Sequence, residues 1–476
     1  MTIVICSVPY TETDAPLLAP ALLKACVTRA GVSATAIDLN FEILNKISSD
    51  PNRWKIIEFF QTQRINDEVE QTIGNLIEYS ATRILETNPT IVGFSLLTQD
   101  CQFFTVWLCY YLKLLNPDIK IVIGGSGIKN FIAQSEINFG KSLLDSKLID
   151  AYINGDGEYA FVEYIKGNIN YPGINSDEWE SIQDLNQLPF ADFSDYTLSD
   201  YPRHSITICD SRGCVRACEF CDIIEHWKKY QYRTAENIFS EMMHQMTKHN
   251  IKHFLFNNSL TNGNVREFNK LLDLICEYNE ENTAQISWEG YFIIRTALHH
   301  PEELWIKLKK SNARLFLGVE SVIESIRIKL GKNFSNTDID YHLIMAKKYQ
   351  VPLMLLLIAA YPTETQADFA FTKQWFNDRV EYANTPVYQV QVSMASILPG
   401  TKLKREQENY KLVVGEIPTI WLTENTEISP TDRINYYKEL SQLLLSIGFP
   451  TNKEEAYSIQ VMRDEIDLLM QKNQQL

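Results

Sequence analysis

Strand-length apolar runs alternate with helix-length stretches twice along these 476 residues, which restricts the fold to parallel sheets covered by helices. In the first series, Ile3–Val8, Ala34–Leu39, Ile91–Leu97, Ile119–Ile123 and Ala151–Ile153 read as strands. Leu17–Ala30, a long region from Phe41 to Leu85, and Cys101–Leu115 read as helices between them. This order predicts an open, doubly wound parallel sheet over residues 1–167. Ligands of such sheets bind at the carboxyl ends of strands, where Ser95, Gly124–Gly127 and Gly155–Glu158 would gather, the glycines permitting close backbone approach. Residues 168–203, rich in Pro, Asp and Asn, read as a linker packing across the next domain.

The second series has six strands: Ser205–Asp210, His253–Asn257, Gln285–Ile294, Arg314–Leu317, Pro352–Ile358 and Tyr388–Met394. Between them, Ala235–Lys248, Val265–Tyr278, Pro301–Lys310, Asp338–Tyr349 (Thr337 as N-cap) and Gln366–Asn377 read as helices. Six repeats over 204–404 predict a partial (β/α)6 barrel of the TIM type, open on one side. Residues 405–476 read as a helical extension, with Thr431–Ile447 amphipathic and Glu454–Leu469 a further helix. Reactive groups of barrels sit where strands end, and those ends carry Cys214–Cys221, Asn258, Arg295, Glu320 and Tyr361.

The first strand of that series runs into Ser211-Arg-Gly-Cys-Val-Arg-Ala-Cys-Glu-Phe-Cys-Asp222. One loop thus offers three thiolates, Cys214, Cys218 and Cys221, to three irons of a four-iron cluster, leaving the fourth iron open to a small molecule. The alternative is a zinc knuckle, for which Cys209 or His226 could supply the missing ligand. Arg212 and Arg216 either offset cluster charge or are solvated, and Asp222, Glu225 and His226 are candidates for substrate-side groups.

The Cx3Cx2C spacing with Phe220 resembles the signature of radical S-adenosylmethionine (SAM) enzymes. Gly318-Val-Glu-Ser321 and Tyr361-Pro-Thr-Glu-Thr365 resemble that superfamily's fourth- and fifth-strand motifs. The resemblance implies a 4Fe-4S cluster that reductively cleaves SAM to a 5′-deoxyadenosyl radical, which abstracts hydrogen from the substrate. It also implies that Glu320 and Ser321 contact polar groups of SAM, that Phe220 and Tyr361 lie near adenine, and that Asn258 occupies a methionine-binding position. Arg295 would either pair with the methionine carboxylate or close the barrel through a salt bridge. The first domain is similar to the cobalamin-binding domain of one branch of the superfamily. The first histidine is His204, so imidazole ligation of cobalt from that domain is impossible, and the domain either binds cobalamin without it or is structural.

A net charge of −16 argues against a nucleic-acid-binding surface, because phosphate contacts need clustered Lys and Arg. No apolar run reaches the roughly 18 residues that span a bilayer, and the nine cysteines fit a reducing compartment, so a cytoplasmic setting without a membrane partner is expected. No cysteine follows Cys276, so one cluster is expected. The expected partners are a peptide or small-molecule substrate, an electron donor and a separate peptide-recognition protein. The leading functional reading is direct radical modification of a ribosomally made peptide (a lyase-type tyramine excision, or epimerisation) without cobalamin. A cobalamin-dependent C-methyltransferase is the rival, and a non-catalytic zinc-stabilised binding protein the alternative of another class. Trp421, Tyr436 and Tyr437 either line a substrate opening or pack.

Overall fold

The computed structural model describes residues 1–9, 14–62, 67–129, 138–256, 260–415, 419–423 and 428–452. Two compact units emerge: Met1–Thr207 with Gln245–Ile251, and Ile208–His244 with the remainder from Lys252.

In the first unit, β1 (Thr2–Ser7), β2 (Ser33–Asp38), β3 (Ile91–Ser95), β4 (Lys120–Gly124) and β5 (Ala151–Ile153) form a sheet ordered β2-β1-β3-β4-β5. Every pair is parallel, as helical crossovers require. Both faces are buried: Val4, Cys6, Phe94 and Ile123 lie in one core, Ile3, Ile5, Val122 and Ile153 in another. That two-sided burial accounts for the continuous apolar runs. The region from Phe41 to Leu85 is three helices, Leu39–Lys46, Arg53–Thr62 and Glu70–Leu85. Two helices without a strong sequence signal also appear, Phe139–Asp145 and Gly157–Ile165.

The segment 168–203 has turns and 3-10 helices in place of longer elements, and its contacts run back to the first unit. Lys24 pairs with Asp192 (3.1 Å) and Asp195 (2.7 Å), and the Asp192 main-chain N–H donates to Ala21 O at 3.1 Å. The Tyr201 hydroxyl donates to Asp38 Oδ2 at 2.9 Å while its ring stacks on Phe41. Gln245 and Lys248, in the same unit, also reach this segment, Gln245 Nε2 donating to Ala191 O and Lys248 to Asp192 Oδ1, both at 2.8 Å.

The second run of strands is β6 (Ser205–Thr207), the short hairpin β7 (Ser211–Arg212) with β8 (Gln231–Tyr232), then β9 (His253–Phe256), β10 (Ser287–Phe292), β11 (Ala313–Glu320), β12 (Leu353–Ala359) and β13 (Val387–Met394). One six-stranded sheet is ordered β13-β12-β11-β10-β9-β6, with β9 to β13 paired in parallel. Among the described residues it stays open. Its β13 edge is covered: Val390 N–H donates to Pro450 O at 2.7 Å and Val392 N–H to Asn452 Oδ1 at 3.0 Å.

The helix expected from Asp338 begins at Asn336 and is capped by Ser335, not Thr337. Ser335 Oγ accepts from Asp338 N–H while the Asp338 carboxylate accepts from Ser335 N–H, a reciprocal box that Thr337, inside the first turn, cannot form. Beyond the sheet the chain is less helical than expected. A short helix, Lys402–Arg405, is followed by an antiparallel pair, β14 (Leu412–Val414) and β15 (Trp421–Thr423), and then by the helix Pro430–Ser446. Trp421 is buried under the Arg433 guanidinium, 3.6 Å from its ring, and Tyr436 stacks on Phe369 at 3.9 Å. These aromatics pack. The helix expected over Glu454–Leu469 lies outside the described residues.

Candidate active site

The β7–β8 hairpin closes the base of the cysteine loop, pairing Ser211 with Tyr232 and Arg212 with Gln231. Gly213 opens the loop at φ +74, and a Cβ there would come within 2.6 Å of Lys229 O, so the entry turn requires glycine. Six of the nine cysteines are buried; Cys214, Cys218 and Cys221 are half-buried. Cys214 Sγ accepts from Arg216 N–H at 3.4 Å, and Cys221 N–H donates to Cys218 O at 3.1 Å. Burial raises the Cys218 thiol, against which Lys332 acts, and pushes Cys221 up to about 12, with Asp222, Cys218 and Cys214 adding to it. Thiols this reluctant to ionise alone would release protons to solvent when a metal binds them.

Of the two side chains that could complete a zinc set, His226 is engaged through one ring nitrogen while its Nδ1 is buried without a partner among the described residues, and Cys209 is engaged. His226 Nε2 lies 3.1 Å from Asp222 Oδ2, and Cys209, buried, directs its Sγ to Ser211 O at 3.6 Å. Three partly exposed thiols on one loop fit a cluster with one uncommitted iron, whose holders would be Cys214, Cys218 and Cys221.

Around this loop stand residues from distant strand ends. Glu320 ends β11 with φ +60, and Ala360, just after β12, has φ +58. A non-glycine residue in that region costs about 1 kcal/mol or more and marks sites where the surroundings over-determine the backbone. Glu320 is buried and ion-paired with Lys332, whose ammonium also donates to Gly318 O at 2.8 Å and lies 5.8 Å from the Phe220 ring centroid. Phe220 packs beside Leu330, Tyr361 and Leu403. Gly331, at φ +79, lets the chain before Lys332 pass the loop; a Cβ would meet Ala217 O at 3.3 Å and Cys218 Cα at 3.6 Å. Ser321 Oγ accepts from Ile323 N–H at 3.1 Å, and its carbonyl accepts from the fully buried Arg327 at 2.7 Å.

Tyr361 is buried, but its hydroxyl donates to Glu219 Oε2 at 2.8 Å. The same oxygen accepts from Tyr410 at 3.0 Å, and Glu219 Oε1 accepts from Lys402 at 2.8 Å. Burial raises the Glu219 carboxyl, yet the donors from Lys402, Tyr361 and Tyr410 outweigh it and hold the group below its usual range. Glu225 is likewise taken, accepting from Arg405 at 2.7 Å.

Arg295, past the end of β10, donates through Nη2 to Asn262 O at 3.3 Å, and its Nε is buried without an acceptor. Among the described residues it pairs with no carboxylate, so the barrel-closing salt bridge is not formed. Burial, then repulsion from Arg216, lowers its pKa. Asn262 is fixed in turn: its Oδ1 accepts from Ile293 N–H at 2.8 Å, and its Nδ2 lies 3.3 Å from His300 Nε2. His300 Nδ1 is 2.9 Å from His342 Nε2, and His342 Nδ1 is 2.8 Å from Asp338 O. Because a carbonyl only accepts, His342 carries its proton on Nδ1 and His300 donates from Nδ1, fixing both tautomers. Asn258 lies outside the described residues.

In the first unit, Ser7, Ser95 and Gly124 are successive cross-strand partners at the carboxyl edge; Ser7 is fully buried, its hydroxyl donating to Asp38 Oδ1 at 2.6 Å. The glycine turn beyond that edge serves the fold. A Cβ on Gly125 would reach Leu96 O at 2.3 Å and one on Gly127 would reach Thr98 O at 2.2 Å; Gly155 is covered by Trp179. Those glycines admit the protein's own backbone and indole.

Glu219, Lys332, Lys402 and Tyr410 escaped the sequence reading. Glu219 had one signal, its place between two of the clustered cysteines. Lys332 had only its position after Leu330-Gly331, and Lys402 and Tyr410 had none.

Residues 208–376 match the model of the Radical SAM superfamily. The solved structure of the radical SAM methyltransferase TsrM from Kitasatospora setae, with cobalamin and a 4Fe-4S cluster, is similar at TM-score 0.63 and 15% identity, over 85% of this chain and 77% of that one. OxsB, a cobalamin-dependent SAM radical enzyme solved with aqua-cobalamin, is similar at TM-score 0.65 and 16% identity, over 94% of this chain and 67% of that one. A protein of Methanocaldococcus jannaschii named as a candidate methylthiotransferase is 24% identical over 324 residues, 62% of this chain and 68% of its own. The cysteine loop and strands β9 to β12 lie within the stretch that matches the radical SAM superfamily. Residues 208–376 thus carry a radical SAM domain, and that superfamily uses a 4Fe-4S cluster and SAM.

Proposed function

We propose that this protein is a cobalamin-dependent radical SAM enzyme of the methyl-transferring type. The observation that carries this reading is the fold: TsrM and OxsB resemble the chain over 85% and 94% of its length, N-terminal doubly wound sheet included. When bound, the cluster would supply the electron that cleaves SAM. The chain's own residues bind and orient. Cys214, Cys218 and Cys221 would hold the cluster, and the Glu320–Lys332 pair presents both charges to the zwitterionic end of SAM. Arg295, lacking a carboxylate partner and set against Arg216, would receive the methionine carboxylate. Phe220, under Lys332, offers a ring for adenine. Ser321, with its hydroxyl proton uncommitted, is the candidate donor to a ribose or carboxylate oxygen. Tyr361 would act from behind the loop, since its hydroxyl is spent on Glu219.

In the first unit, the carboxyl edge of the sheet at Ser95 and Gly124 is where a corrin would lie, and the absence of histidine before His204 leaves cobalt without imidazole from that unit. The same absence favours the second reading, direct radical modification of a ribosomal peptide by bond cleavage or epimerisation. Anaerobic purification with hydroxocobalamin, followed by visible spectroscopy and product analysis, separates the two. The first reading expects a bound corrinoid and S-adenosylhomocysteine formed alongside a methylated product. Turnover to 5′-deoxyadenosine with neither corrinoid nor methyl transfer would overturn it.

A further inference from the structure

We propose that Glu219 is the positioning residue of the cysteine loop, locking it to the chain beyond the barrel so that the post-barrel segment from Lys402 to Tyr410 is part of the cluster site. This rests on the reading of Cys214, Cys218 and Cys221 as cluster ligands.

Every hydrogen-bonding group of Glu219 is engaged with a segment outside the loop. Its N–H donates to Leu330 O at 3.2 Å, and its carbonyl accepts from Leu403 N–H at 2.9 Å. One carboxylate oxygen accepts from Lys402 at 2.8 Å; the other accepts from Tyr361 at 2.8 Å and Tyr410 at 3.0 Å. The partners lie up to 191 residues away, and the side chain is only 9% exposed. A carboxylate among three thiolates is electrostatically unfavourable, and a cluster would deepen that repulsion. Three donors converge on it to offset the cost, so its gain is placement. Cys218 precedes it and Cys221 follows two residues later, so two of the three thiols take their position from this one residue. An apolar cluster of Phe220, Leu330, Tyr361 and Leu403 packs beside the clamp.

Outer-sphere partners of metal ligands typically contribute about 10- to 100-fold in metal affinity. Anaerobically reconstituted wild type, Glu219→Ala, Glu219→Gln, Tyr410→Phe and Lys402→Met would be compared in the rate of iron loss to a chelator and in the electron paramagnetic resonance of the reduced cluster with SAM. Glu219→Ala should lose iron about tenfold faster or more, with a broadened or shifted signal. Glu219→Gln, which still accepts from the tyrosines, should fall between it and wild type. Lys402→Met and Tyr410→Phe each remove a half-exposed donor outside the loop; they should speed iron loss a few-fold with the apo fold unchanged by circular dichroism. If Glu219→Ala does not fold, these two decide. Loss rates and spectra equal to wild type in the folded variants would overturn the inference. Failure of wild type itself to take up iron would instead overturn the cluster reading on which it rests.

Discussion

Glu320 and Lys332 are each nearly buried, with side-chain exposures of 11% and 13%, and each is the other's counter-ion. Removing one partner of such a pair leaves a buried charge unpaired and typically costs about 3 kcal/mol or more, whereas removing both costs much less. Lys332→Met should therefore destabilise the apo protein by about that amount, and Lys332→Met with Glu320→Gln should recover most of it. Urea titrations of the four proteins measure the coupling. Additive losses would show that the pair does not hold the β11 exit together. Function should part from stability here: on the proposed SAM-binding role of the pair, the double variant, though folded, should bind SAM poorly.

At the scale of elements, the His300–His342 chain ties the loop after β10 to the first turn of the helix Asn336–Tyr349. Burial lowers both imidazoles, His342 from 6.5 to about 4 and His300 further, with repulsion from His342 adding to the latter. Folded pKa values lie below the unfolded one, so the unfolded chain takes up protons that the folded chain refuses. This contribution is fully present above about pH 6.5 and is lost as pH falls through and below that value, at up to about 1.4 kcal/mol per pH unit for each histidine. His342→Gln, which keeps an acceptor for His300, should flatten the slope of stability against pH between about pH 4 and 6.5; an unchanged slope would remove the pair from the account. Element types were legible because the first sheet buries both faces while β12 of the second alternates buried and half-buried residues, and Gln366–Asn377 forms as a helix over the expected residues. Less legible were features set by distant partners. The tyrosine at 361 fitted an adenine contact in the local motif, and only the fold brings Glu219 to its hydroxyl. The charged stretch after Thr401 looked helical because nothing local announces that Leu412–Val414 will pair with Trp421–Thr423. Thr337 and Ser335 are both good caps by composition, and the reciprocal bond with Asp338 decides between them.

For the molecule as a whole, the strand-exit register was the most informative pattern. It places Cys214–Cys221, Arg295, Glu320 and Tyr361 at one end of a parallel sheet from the amino-acid sequence alone. The domain before it is the right class of sheet, and its glycine turns proved to be internal packing. No helix among the described residues is long and apolar enough to cross a membrane. All functional readings depend on the three thiols holding a cluster that cleaves SAM. The most direct measurement is iron, sulfide and 5′-deoxyadenosine on anaerobically reconstituted protein given SAM and a strong one-electron reductant, with Cys218→Ala alongside. The account predicts about four irons and four sulfides per chain, nucleoside release by wild type, and none from the folded Cys218→Ala variant. Zinc in place of iron with no nucleoside, or undiminished release by the variant, would contradict it.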